Sequence, residues 1–306
     1  MGENIDFYFD ENYGKLYEKQ ENGQLRIFEY EDENGKISNQ FLVRKIPSEN
    51  VETTYYDIIT PYGYGGPIIH YANNKDALLD NYERHFSEYC RQNNIVSEFV
   101  RFHPILRNYE DFKNIYNIKF MRKTLATSLK WDNPIKEEFS KSCRKKIRSI
   151  LKNGLRYEIE LSPDSLSEFK RIYDLNMKRK HAKEYYFFDD NYYEDILKYF
   201  KDKVALAKVF LDDKLIACGL YFLSGKTIHA HLSGTDTDYL KYSPAYILKY
   251  GTVLWGKEHG YELIHYGGGL SNSENDSLYM FKRKFAKKTN FDFYVGEKNW
   301  VFRDAS

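Results

Sequence analysis

The chain of 306 residues holds only three cysteines, Cys90, Cys143 and Cys218, far apart along the sequence. No Cys-x-x-Cys pair occurs, so no disulfide framework is expected and a reducing, cytoplasmic setting fits. No stretch approaches the roughly 18 consecutive apolar residues of a membrane span. The acidic opening, MGENIDFYFDENYGK, lacks an apolar core, so no signal peptide is expected. Position 6 is Asp6 rather than Ser or Thr, which leaves myristoylation of Gly2 unsupported. A Gly-x-Ser-x-Gly nucleophile turn is missing too, so nothing local supports Ser-His-Asp catalysis. Strong net charge is also lacking, at +1 overall. The balance is uneven, however. Residues 1–130 carry 16 Lys/Arg against 20 Asp/Glu, and the remainder carries 30 against 25. A phosphate-bearing partner is therefore expected on the C-terminal part.

What is present is apolar and aromatic. The composition is 42% hydrophobic and 17% aromatic, with 29 tyrosines, enough for a real core and for ring-lined clefts. The length suggests two domains. Strand-like runs at 25–30, 41–46 and 55–59 precede a helical stripe over 76–93, in which Leu78, Leu79, Tyr82, Phe86 and Tyr89 recur at helical spacing. A strand at 95–102, a short helix at 109–116 and a strand at 122–131 complete a first α/β unit. Asn133-Pro134 opens a helix running to about 152, stopped by Asn153-Gly154. A strand at 155–161 follows. Ser162 and Pro163 then read as the cap and first position of a long helix. The second unit continues with a helix at 191–200, a three-strand meander (204–211, 215–223, 227–232), a helix from Pro244 to about 258, a strand at 262–266, a helix at 276–286 and a strand at 291–295. The expectation is a mixed α/β chain with domains at 1–132 and 155–306, joined by a basic helix at 133–154.

One early loop, TPYGYGGP at 60–67, is rich in glycine. It lacks the Lys-Ser/Thr pair of a Walker loop, and Pro67 with two isoleucines follows where a dinucleotide fingerprint needs a helix. It is either a plain tight turn or a loop shaped for something other than nucleotide phosphate.

Four stretches together resemble one family: TPYGYGGP at 60–67, SCRKKIRSILKNGL at 142–155, SPAYILKYGTVLWGKEHGYELIHYGGG at 243–269 and DSLYMFKRKF at 276–285. The chain resembles the FemXAB and BioF2-like branch of the GNAT acyltransferase superfamily. That resemblance implies two tandem GNAT-like domains, the first on the acceptor side and the second on the donor side. It implies transfer of an aminoacyl group from tRNA to an amine of a peptidoglycan precursor, or, as in relatives on the same fold, use of acyl-CoA. No resident cofactor is expected; the donor is a substrate. The partners expected are a cell-wall or sugar-linked acceptor and tRNA, and a monomer suffices.

The resemblance also assigns residues. Phe281-Lys282 matches the family's Phe-Lys pair, with Phe281 at the donor site and Lys282 catalytic at the developing oxyanion or at a donor phosphate; a surface lysine is the plain alternative. Gly268 and Gly269 would line the substrate site. Through the same match Tyr62, Tyr64, Gly65 and Gly66 would help form the acceptor site, with tyrosines to stack on a sugar or peptide. Ser243, as a helix cap with free N–H groups behind it, and Ala245 would bind the donor's phosphates, although the usual Gln/Arg-x-x-Gly-x-Gly/Ala loop is replaced by KYSPAY. Arg144 and Lys145, in the basic helix, would meet an RNA backbone, or that helix is only a solvated face. From alternation, Thr227, His229, His231 and Ser233 share a strand face. His231 is a candidate proton acceptor, with Asp236 similar; no third ligand is spaced for a metal. The alternatives to aminoacyl transfer are an acyl-CoA-dependent N-acyltransferase on an amino sugar or other amine, and a non-catalytic RNA-binding module.

Overall fold

The computed structural model describes residues 5–47, 53–273 and 275–300; Gly2, considered above, lies outside them. The chain divides into two compact units, 1–122 with 292–306, and 123–291.

The first unit contains α1 (Glu11–Lys15), β1 (Gly23–Asp32), β2 (Gly35–Lys45), β3 (Tyr56–Ile59), β4 (Ile68–Ala72), α2 (Lys75–Gln92), β5 (Ile95–Arg101) and α3 (Tyr109–Phe112). Its sheet runs β1-β2-β3-β5, with β4 also on β2. β3 and β5 are parallel; the pairs made by β2 are antiparallel. The apolar stripe of α2 buries Leu78, Tyr82, Phe86 and Cys90, and the Asn74 side chain caps its start by accepting from the Ala77 N–H. These side chains form one core with Phe41, Ile58, Val100 and Trp300.

The chain enters the second unit within β6 (Asn117–Ser128). There follow α4 (Pro134–Glu138), α5 (Lys141–Lys152), β7 (Leu155–Leu161), α6 (Ser167–Arg179), α7 (Asp190–Phe200), β8 (Val204–Leu211), β9 (Lys214–Ser224), β10 (Thr227–Thr235), α8 (Ala245–Glu258), β11 (Leu263–Gly267) and α9 (Ser277–Arg283). The chain returns to the first unit within β12 (Asn290–Asn299), whose later residues pair antiparallel with β5. The sheet of the second unit is ordered β6-β11-β10-β9-β8-β7, with β10 and β11 its parallel pair. The middle strands are buried on both faces, as β9 shows with eight consecutive buried residues from Leu215 to Phe222. On one face Tyr221 packs in the core with α5 and α8; on the other Phe222 meets Phe200 of α7.

The fold class expected from the sequence is observed, while three local expectations change. The segment 133–154 does not stand apart as a linker: it is two helices, and Phe139, Cys143, Ile147 and Ile150 are buried in the second unit's core. The end of the chain joins the first unit through strand pairing, a long-range choice that a local pattern does not encode. Ser162 has a left-handed backbone (φ 49°), and α6 begins at Ser167, with Leu166 at its cap position and no side-chain cap. An N-cap needs an extended backbone to aim its hydroxyl at the first turn, so Ser162 cannot serve.

Candidate functional site

In the second unit the central feature is a parting of two strands. β10 and β11 pair only from Thr227–Leu263 to His229–His265. Beyond that, β10 continues to Thr235 on β9 alone, and β11 reaches Gly267 on β6 alone. The register of β10 slips by one between Ala230 and Leu232, which places a bulge at His231, and that of β11 slips between His265 and Gly267. Bulges twist strands and terminate pairing. The result is a wedge bordered by strand edges whose backbone groups have no strand across from them among the described residues.

The glycine turn and α9 lie at the end of β11. Gly267 takes φ +70°, which favours glycine. The Asp276 carboxylate caps α9 through the Tyr279 N–H (2.8 Å) and also accepts from the N–H groups of Leu270 (3.1 Å) and Ser271 (3.0 Å). Burial opposes its charge, but these donors outweigh it and hold the carboxyl below its usual range. Gly269 lies against this cap: a Cβ there would fall 2.5 Å from Asp276 Oδ1. One turn further, Lys282 reaches back and donates from Nζ to the Gly268 carbonyl (2.6 Å). The structure therefore brings Lys282, Gly268 and Gly269 together.

Phe281 joins a ring chain. It packs edge-on to Tyr246 of α8 (5.3 Å) and against Phe285 (5.2 Å), which meets Phe139 (5.1 Å). Ser243 differs from expectation. Its φ is +56°; it ends the short 3-10 helix Thr237–Tyr242, and α8 starts at Ala245 with Pro244 as a cap lacking a side-chain bond. The Tyr246 N–H already donates to the Ser243 carbonyl, and those of Ile247 and Leu248 to Pro244. The open anion cradle expected behind Ser243 is thus largely closed by the chain itself, with Ala245 half-buried beside it. Arg144 is likewise engaged, donating to the Lys136 and Phe139 carbonyls, whereas Lys145 is exposed.

His231 lies on the other face of the same sheet. Its Nε2 is 2.6 Å from the Tyr192 hydroxyl of α7, and its ring meets Phe222. Burial, with His229 beside it, lowers its pKa to about 3, so the ring is neutral near pH 7 and a weak proton acceptor. The sheet separates it from the core that holds Phe281. The shared strand face also breaks at the bulge: directly opposed residues share a face, so Leu232, opposite Leu220, takes the face of His229, opposite Phe222, and Ser233 takes the other. His229 stands edge-on to His265 (5.8 Å). Asp236 accepts from the Asp238 N–H. Among the described residues no three His, Cys, Asp or Glu side chains gather to hold a metal.

In the first unit, the 60–67 loop is filled by its own surroundings. Tyr64 is buried against Tyr8, His103 and Phe293, and burial drives its hydroxyl pKa far up. Tyr62 stacks on Tyr17 (5.3 Å) and its carbonyl accepts from Tyr13. Gly65 donates to the Arg101 carbonyl, and its own carbonyl accepts from Asn108. Gly66 has φ +83°, and a Cβ there would stand 2.4 Å from Val100. Tyr64, Gly65 and Gly66 are therefore packing elements of that unit, and Tyr62 alone of the four keeps a half-buried ring tied to α1's end of the chain.

Sequence reasoning missed Lys249, Tyr266, Glu138 and the loop-organising role of Asp276. Glu138 is fully buried and accepts from the Trp131 indole and the Lys288 and Thr289 N–H groups, fastening α4 to the turn before β12. Lys249 carries its ammonium 4.2 Å above the Tyr266 ring and 5.7 Å from that of Phe285. Burial lowers its pKa to about 8. A lysine inside the apolar run AYILKYGTVLW was the available signal.

With this geometry in hand, the comparisons with known proteins fall into place. Residues 137–283 match the acetyltransferase (GNAT) domain family. Among solved structures, the chain is similar to FemX, with 14% identity over 95% of this chain and 91% of that one and a TM-score of 0.67. It is similar to the C-terminal domain of a putative lysylphosphatidylglycerol synthetase from Agrobacterium fabrum, at 16% identity over 90% and 85% and a TM-score of 0.61. A tandem GNAT protein from the clavulanic acid biosynthesis pathway shares 8% identity over 97% and 98%, with a TM-score of 0.53. No curated protein matches the sequence. Residues 137–283 thus carry the acetyltransferase (GNAT) domain match, and the chain is an acyltransferase with the tandem GNAT fold.

Proposed function

We propose that the protein transfers an aminoacyl group from aminoacyl-tRNA to an amine of a cell-wall precursor, with the acyl group lodged in the wedge between β10 and β11. One observation carries the choice of donor. Lys141, Lys145, Arg148 and Lys152 form an exposed stripe along α5 at helical spacing, and none forms an ion pair among the described residues. The stripe adjoins the basic end of α9: the Ser140 N–H donates to the Lys284 carbonyl and the Lys287 N–H to that of Glu138. Arg283, Lys284 and Lys287 are exposed there. An extended cationic surface without counter-ions suits a phosphate backbone, and it surrounds the helix that delivers Lys282.

The chemistry follows from the same parts. The acceptor amine attacks the ester carbonyl, a C–N bond forms, the C–O bond to the ribose breaks, and the departing ribose oxygen takes the proton that the amine loses. Lys282 supplies positive charge beside the glycine turn for the tetrahedral oxyanion. His231, on the far face, takes no part.

The test is donor consumption by the purified protein with charged tRNA pools or acetyl-CoA, each with a precursor amine. Charged tRNA should be discharged and acetyl-CoA left intact. Lys145→Glu with Arg148→Glu should weaken tRNA binding and flatten its salt dependence. Consumption of acetyl-CoA alone, or tRNA affinity unchanged by the double reversal across a salt series, would overturn the reading.

A further inference from the structure

The wedge carries a charge that the transfer reaction does not need. Lys249 lies one turn into α8, on the face that holds Tyr246. Tyr266, the ring beneath its ammonium, is the first residue of β11 beyond the last pair with β10. The ammonium therefore lies, on the α8 face of the sheet, over the side chain of the residue at which the strands part, a ring whose hydroxyl reaches Thr127 of β6 (2.7 Å). Its surroundings are aromatic: Tyr266 and Phe285 directly, Tyr246 and Phe281 one ring further. Among the described residues no acid and no hydrogen-bond acceptor meets it. Of the buried acids of this unit, Glu138 is already held by Trp131, Lys288 and Thr289, and Asp236 by the Asp238 N–H and Lys214. The neighbouring exposed cation, Lys284, donates to the Tyr246 hydroxyl and adds positive charge instead of cancelling it.

A half-buried ammonium gains from ring faces, but a ring does not replace the counter-ion that desolvation makes valuable. The lowered pKa of Lys249 has the same cause, since burial acts on it without an acid to oppose it. A hydrophobic side chain at this position would pack against Tyr266 and Phe285 at no such cost. The position thus holds a half-buried cation with no acid of the described residues beside it, where an anionic ligand group would supply the counter-charge.

We propose that Lys249 is a specificity-determining residue that selects an acyl group bearing a carboxylate, such as an aspartyl or glutamyl group. This rests on the reading that the acyl group enters the β10–β11 wedge. The carboxylate would ion-pair with Lys249 over Tyr266, while the reacting carbonyl lies toward the Gly268 turn and Lys282. A neutral isostere of the same shape would leave the ammonium unpaired, and a cationic acyl group would be repelled.

The experiment compares aspartyl- and glutamyl-tRNA with asparaginyl- and glutaminyl-tRNA in single-turnover transfer, with a parallel arm of succinyl-CoA against butyryl-CoA. The acidic member should be favoured about 10–10²-fold, the range for a charge-assisted contact; the arm that reacts identifies the source of the acyl group. Lys249→Gln should erase the preference, and Lys249→Arg should retain most of it. A second readout does not need turnover: in protein labelled with 13C at lysine Cε, N-acetyl-aspartate amide should raise the titration midpoint of Lys249, and N-acetyl-asparagine amide should not. Equal transfer of acidic and neutral groups by the wild type, or a preference that survives Lys249→Gln, overturns the inference and leaves the proposed reaction standing. If neither arm reacts but the aspartate probe shifts Lys249, the proposed reaction fails and the carboxylate site stands. If the probe leaves Lys249 unmoved, the inference fails.

Discussion

The two glycine turns of this chain are alike in sequence and opposite in design. The turn at 60–67, in the first unit, spends its glycines on internal packing: Gly66 clears Val100, Gly63 clears Tyr8, and Tyr64 fills the space between His103 and Phe293. The turn that follows β11, in the second unit, is organised from outside by Asp276 and presents a carbonyl to Lys282. Around the first, polar groups are used up by neighbours such as Asn108 and Arg101. Around the second, two lysines approach parted strands, and one of them lacks an anion. Glycine content marks a backbone requirement; it is unspent charge nearby that marks a candidate site.

The comparison breaks most decisively at Lys282. Lys282→Ala should lower kcat about 10²–10³-fold with little change in KM, because charge acting on the oxyanion is used in the transition state. Lys284→Ala, which loses its bond to the Tyr246 hydroxyl and its place over the Tyr246 and Phe281 rings, is the contrast: as part of the basic surface it should weaken tRNA binding and change kcat little. Wild-type turnover by folded Lys282→Ala would reduce the second turn to packing as well.

A contrast in pH response comes next. Glu98 is buried in the first unit, and burial pushes its carboxyl up to about 7 against the hydrogen bonds from Asn39 and Tyr116. The unfolded carboxyl loses its proton near 4.5. Between the two values the folded state holds the extra proton, so this group's contribution is full below the unfolded value and is lost as pH rises toward 7, by about 3 kcal/mol. Glu98→Gln should remove this slope, measured by urea unfolding from pH 4 to 8. An unchanged slope would mean that another group carries it.

Gly66→Ala sharpens the contrast between the turns. It forces both a left-handed alanine and a clash with Val100, and should cost about 1–3 kcal/mol of stability. The protein that remains folded should keep its kcat. Loss of kcat at unchanged stability would move the first turn into the site.

The smallest effect is expected at Asp276. Asp276→Ala should cost about 1 kcal/mol, the usual value of a lost cap, and should reduce kcat because the turn facing Lys282 loosens. A stability loss without any change in kcat would show that the turn's order does not matter to transfer.

Much of the fold was legible because local patterns suffice for it. The α2 stripe, the meander of β8, β9 and β10, and the order of elements around α8, β11 and α9 follow from hydrophobic period and turn residues. Phe281, Lys282 and the glycines after β11 were legible as a motif, and the structure brings Lys282 and Gly268 into contact. Other expectations rested on the assumption that local geometry continues unbroken. Alternation placed Ser233 with His229, and a one-residue bulge undid it. Ser243 and Ser162 read as caps, but both have left-handed backbones.

The sequence alone determined which segments become helix or strand, the excess of positive charge in the C-terminal part and the residue types available for chemistry. These depend on neighbours a few positions away. Tertiary structure alone decided that His231 and Phe281 lie on opposite faces of one sheet, that Tyr64 is core, that the last strand pairs with β5, and that Lys249 stands over Tyr266 where β10 and β11 part. Burial and strand pairing join residues far apart in sequence. The cost of an unpaired charge therefore appears only once the chain has closed around it.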